Sequence, residues 1–133
     1  TDLTHPLFSM KKILFLVIAL LAGGAVLAQE SKPKQFLIVL RLTPTYHDLK
    51  NWTDKENRIV GEHFKKLQDL QKAGKLILAG RTTVEESRTM GLIVFEAASE
   101  EEARAVMAAD PAVANGIMTA ELFPYAVALS RQP

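Results

Sequence analysis

The chain has 133 residues, 48% of them hydrophobic, with 16 Lys and Arg against 15 Asp and Glu. So even a charge balance, with no long run of either sign, argues against nucleic acid or an anionic membrane surface as a partner. Cysteine is absent, which excludes disulfide staples and leaves packing as the source of stability.

The first stretch reads as an export signal. Met10-Lys11-Lys12 is basic, Ile13 to Leu21 is unbroken apolar sequence, and Val26-Leu27-Ala28 supplies small residues at the −3 and −1 positions of a signal-peptidase site. A retained anchor is the competing reading, but a span needs ~20 apolar residues, more than this run supplies. Cleavage after Ala28 removes Asp2, Lys11 and Lys12, leaving fourteen basic and fourteen acidic residues. The expected organisation is an N-terminal extension and signal over residues 1–28, a flexible lead-in over 29–34, and one domain over 35–133. Thr1 to Ser9, ahead of Met10, stand outside the fold. The expected location is periplasmic or secreted, with no stable membrane association after cleavage.

Gln35 to Leu42 is predicted as the first strand. Phe36, Ile38, Leu40 and Leu42 lie on one face and Leu37 and Val39 on the other, so both faces call for cover. A turn-like segment from Thr43 leads into a helix announced by Thr53-Asp54-Lys55-Glu56, a Thr-x-x-Glu capping box. Ile59, Val60, His63, Phe64, Leu67 and Leu70 then recur at spacings of three and four, and Gly74 suits a left-handed C′ position. His63 stands in line with Ile59 and Leu67, facing the core. A histidine there is either held structurally or used, and spacing alone does not decide.

Leu76 to Gly80 is predicted as a short buried strand, Arg81 to Thr89 as a polar connection, and Met90 to Glu96 as a third strand, again apolar on both faces. Ser99-Glu100-Glu101-Glu102 is a second capping box, opening a helix that stops at Asp110-Pro111. Ala112 to Gly116 reads as a turn, and Ile117 to Leu129 contains a fourth strand whose Pro124 marks an end, an edge or a bulge.

The order β-α-β-β-α-β is the α+β, ferredoxin-like pattern: a four-stranded antiparallel sheet with two helices on one face. The other face is left bare although its strands are apolar there too, which predicts a homodimer through the sheets.

For chemistry the choices are few. After signal removal the histidines are His47 and His63, no His-Glu-x-x-His spacing occurs, and the glycines at 61, 74, 80, 91 and 116 form no phosphate loop. No metal or cofactor is expected. What remains is His63, Asp110 and the aromatic or basic residues near strand ends and in the loop ahead of the first helix: Arg41, Tyr46, His47, Trp52 and Arg81. Of these, Arg41, Tyr46 and Arg81 are the candidate substrate-binding residues. Lys65-Lys66 and Glu100 to Glu102 read as solvated helix faces.

His63 with Leu67 and Leu70, Gly74-Lys75-Leu76, Ala79-Gly80, Ser99-x-x-Glu102-Ala103, Asp110-Pro111, Gly116 and Pro124-Tyr125 together resemble the YciI-like (YCII-related) family over about Gln35 to Leu129. The resemblance implies a dimeric α+β barrel and a His63–Asp110 pair as the catalytic residues. It further implies cofactor-independent acid/base chemistry on a small organic molecule, lyase-like or dehydrochlorinase-like. The alternative function is a non-catalytic periplasmic dimer that binds a small molecule. Two departures stand out. Family members usually carry a bulky aromatic directly after Asp-Pro, where this chain has Ala112-Val113, which widens or removes one pocket wall. Many also lack a signal peptide.

Overall fold

The computed structural model describes residues 32–131; the stretch expected to be an export signal, with its expected cleavage site, lies outside them. Strand β1 spans Lys34–Leu42, helix α1 Asp54–Lys72, β2 Leu76–Arg81, β3 Met90–Ala97, helix α2 Glu100–Ala108, a four-residue helix α3 Pro111–Ala114, and β4 Met118–Tyr125. All neighbouring strands are antiparallel, in the order β2-β3-β1-β4. That is the ferredoxin-like arrangement, α+β, as the element order requires.

Strand alternation divides the sheet into two faces. Phe36, Ile38 and Leu40 of β1 pair with Phe95, Ile93 and Gly91 of β3, and the large ones are 0–4% exposed. Phe36 and Phe95 pack with tilted rings 6.1 Å apart. Ala103 of α2 joins this core, with Leu67 of α1 and Val106 and Met107 of α2 packed against it. Both long helices therefore cover the same face. Val39, Leu37, Leu92 and Val94 point to the other.

Helix α1 is bounded by the signals its sequence carries. The Thr53 hydroxyl accepts from Lys55 N–H while the Glu56 carboxylate accepts from Thr53 N–H at 3.1 Å. The hydroxyl of Thr53, outweighing the cost of burial, holds the Glu56 carboxyl below the usual carboxylate range. At the far end Lys75 N–H bonds to Leu70 C=O and Gly74 N–H to Gln71 C=O, with Gly74 at φ +70°. That is a Schellman motif, which needs a residue free of the Cβ clash.

Two expectations change here. The second capping box closes only by half: Ser99 Oγ accepts from Glu102 N–H, but the Glu102 carboxylate takes Ala98 N–H and the Lys75 ammonium instead of Ser99 N–H. The segment after Asp110 is not a plain turn. Asp110 begins helix α3 as its N-cap, with Pro111 in the first helical position, a place where its missing N–H costs nothing.

Candidate active site

His63 sits mid-way along α1, on the line through Ile59 and Leu67, and is buried to 9% exposure. Asp110 links α2 to α3 and is 6% exposed. Its position is fixed from three sides. Oδ1 accepts from Ala112 N–H at 2.9 Å, capping α3. α3 closes with a second Schellman pair, Gly116 N–H to Val113 C=O and Ile117 N–H to Ala112 C=O, on Gly116 at φ +69°. Ala112 and Ile117, both essentially unexposed, pack with Ile59, so the same cluster seats α3 and the turn of α1 before His63.

The second carboxylate oxygen, Oδ2, lies 2.6 Å from His63 Nδ1. Burial works against ionisation of Asp110, but the His63 hydrogen bond and charge, with the N–H groups of Ala112 and Val113, outweigh it. The carboxyl is held below the usual aspartate range. An ionised carboxylate only accepts, so the proton of that bond belongs to Nδ1 and the remaining ring nitrogen, Nε2, is left free to accept.

His63 borders a cleft of about 770 Å³ between α1 and the covered face of the sheet. Its walls are largely apolar: Leu40, Val60, Phe64, Leu67, Ile93 and Met118 among them. Arg81, Asn57, Glu86 and Thr89 supply the polar points. Few polar groups on apolar walls is what a site for a small organic ligand requires.

The residues singled out from the sequence divide as follows. His63 and Asp110 meet, and Arg81 shares the cleft with His63. Arg41 also borders it, but β1 alternation puts its side chain on the face opposite to Leu40 and Leu42. Tyr46 does not line the cleft. Its hydroxyl bonds to Glu56 at 3.4 Å and its ring stands edge-on to Trp52, 5.7 Å away. Trp52 borders the cleft, with its indole N–H on Tyr46 C=O, and His47 Nε2 lies 3.2 Å from Leu42 C=O. Ala112 is buried against Ile59 and Ile117 and is not among the cleft's lining residues. Asn57, Glu86 and Thr89 were not legible as cleft residues, being polar positions on a helix and a loop. Lys66 is no solvated lysine. It is half-buried, donating to Val106 C=O at 3.1 Å, and its place three residues after His63 was the signal that it shares that helix face.

The structure is that of a small ferredoxin-like α+β domain with a buried histidine–carboxylate pair beside an apolar cleft. The chain belongs to the YCII-related domain family, which matches residues 35–124. Among curated proteins none matches the chain. Among solved structures it is similar to 5-chloro-2-hydroxyhydroquinone dehydrochlorinase from Burkholderia phenoliruptrix AC1100 in complex with 2,5-dihydroxybenzoquinone. The identity is 19%, the TM-score 0.54, and the match covers 69% of this chain and 93% of that one. At that identity the likeness shows a shared fold.

Proposed function

We propose that this protein is a small-molecule enzyme of the YciI-like type, working by cofactor-independent acid/base chemistry through His63 and Asp110. One observation carries the reading: the 2.6 Å contact between His63 Nδ1 and Asp110 Oδ2, buried at the wall of an apolar cleft. Asp110 fixes the tautomer and orients the ring, so that His63 Nε2 is the base. In an elimination, Nε2 takes a proton from the substrate, the released electron pair forms the new π bond, and a leaving anion departs. The imidazolium then returns its proton to solvent or to the leaving group. Asp110 stabilises that imidazolium and stays ionised throughout.

The walls suit a flat, mostly apolar molecule of about one ring, and Arg81 suits an ionised hydroxyl or carboxylate on it. The similar dehydrochlorinase, bound to a dihydroxybenzoquinone, supports a ring-sized, oxygenated substrate and a lyase reaction. The domain acts as a homodimer through the bare sheet face, after export to the periplasm or medium and cleavage following Ala28.

The test uses hydroxylated and halogenated quinols as a substrate panel. Turnover by the wild type that His63→Ala abolishes, with ligand binding kept, is the expected result. Binding without turnover in both forms would leave the non-catalytic dimer as the better reading.

A further inference from the structure

Lys66 follows His63 by three residues on α1, so both side chains leave the helix on one side. Its ammonium donates to the Val106 carbonyl of α2 at 3.1 Å. Val106 stands four residues before Asp110, and its carbonyl is one that the helix does not satisfy, because Asp110 N–H turns to Met107 C=O at 3.2 Å. Lys66 therefore caps the negative end of α2, where a cation is favoured. Burial of its stem lowers the proton affinity of Lys66, and the charge of Asp110 works in the opposite sense.

We propose that Lys66 is a positioning residue for the His63–Asp110 pair: its ammonium, held on the Val106 carbonyl one helical turn before Asp110, ties α1 to the end of α2 and adds a positive charge near the carboxylate that His63 pairs with. The inference rests on the acid/base reading for its purpose. A buried carboxylate whose only cation is an imidazolium loses that partner whenever the imidazole gives up its proton. With Lys66 present the carboxylate keeps a counter-charge in both states of His63, and goes on holding Nδ1–H while Nε2 exchanges protons. Among the described residues the ion-pair partner of Asp110 is His63, and the Lys66 ammonium stands on the Val106 carbonyl one helical turn before it. The cleft's remaining charged residues are Arg81 of β2, Glu86 of the β2–β3 connection and Arg41 of β1, while Glu56 is engaged with Thr53 and Tyr46.

The experiment follows Asp110 by carboxyl carbon NMR across an acid titration, in the full-length wild type and in Lys66→Met and Lys66→Arg. Lys66→Met keeps the apolar stem and removes the charge. Its Asp110 midpoint should rise by about half a pH unit or more, while Lys66→Arg stays near the wild type. A lysine that merely caps α2 would lower the melting temperature of Lys66→Met and leave the Asp110 midpoint unmoved, which overturns the proposal. Should Lys66→Met not fold, the reciprocal measurement decides. In Asp110→Asn the Lys66 amine should titrate at lower pH than in the wild type, and an unchanged midpoint again overturns it. Neither readout needs a substrate, so failure here is distinct from failure of the enzymatic reading, which turnover by His63→Ala decides.

Discussion

Arg81 stands directly opposite Gly91 on the β2–β3 ladder, and Gly91 is in turn opposite Leu40 on β1. All three lie on the sheet face that floors the cleft. A Cβ added at Gly91 would meet Leu40 Cβ at 3.2 Å, an atom fixed to the β1 backbone that cannot swing aside. Gly91→Ala is therefore expected to cost about 1 kcal/mol or more by crowding, and to weaken any ligand held between Leu40 and Arg81. Gly61, on α1, is the opposite case: a Cβ there meets nothing within 4 Å, and Gly61→Ala should stabilise by about 0.5–1 kcal/mol through helix propensity. Urea midpoints moving in opposite directions check both.

The histidine–aspartate pair predicts a shared loss. If His63 and Asp110 act as one unit, His63→Ala and Asp110→Asn should each reduce kcat by about 10²–10⁴-fold, and the double variant by little more than the worse single one. Asp110→Asn leaves Ala112 N–H an oxygen to bond, so α3 should survive. Additive losses in the double variant, measured on a turned-over quinol, would contradict the unit.

What the sequence could reveal depended on how local each signal was. α1 was legible to within a residue because its box at Thr53 and its Schellman glycine at position 74 act over three to five residues. β1 and β3 were legible from apolar residues on both faces, whereas β2, expected to be buried, is an edge strand with no buried residue. α3 was missed because four residues, Pro-Ala-Val-Ala, are too few to show a helical period. Asp110-Pro111 in sequence marks the end of α2, yet an N-cap followed by proline at the first helical position is equally a start. The meeting of His63 and Asp110 followed from handedness, which puts both helices on one face. Tyr46 turning to Glu56 depends on how a loop folds, and no nearby residue announces it; the spacing from His63 gives the helix face of Lys66, but its reach to Val106 depends on how two helices abut.

Acid sensitivity follows from the sign of the Asp110 shift. Its carboxyl is depressed in the folded protein, against an ordinary aspartate value of about 3.9 in the unfolded chain. The stability it contributes is therefore fully present above that value and is lost as pH falls through it toward the folded one. Glu56 and Glu102 are depressed too and act in the same sense. The wild type should accordingly lose more stability between pH 5 and pH 2 (~3 units spanning that aspartate value) than Asp110→Asn does. Equal losses, in urea melts at matched pH, would show that the contact does not persist in solution.

Dimerisation is expected from the sheet face that no helix of the described residues covers. Leu37 of β1 stands between Val94 of β3 and Phe123 of β4, and Val39 next to Leu92. Phe123 is 42% exposed and Leu78, beside Val94 on β2, 59%. Apolar side chains exposed on that face, beside Glu121 opposite Val39, are unfavourable in water, and a second copy offers a face of identical shape and twist. A stable pairing needs at least about 1,000 Å² in total. Leu37→Asp would bury a charge against Val94 and Phe123 at the centre of that contact with no partner to meet it. The expected outcome in light scattering is a dimer for the wild type and a monomer for Leu37→Asp, with unchanged far-ultraviolet circular dichroism, because Leu37 points away from the Phe36–Phe95 core. A wild type that is monodisperse and monomeric at micromolar concentration would refute the pairing. It would also leave the apolar face in need of a different partner.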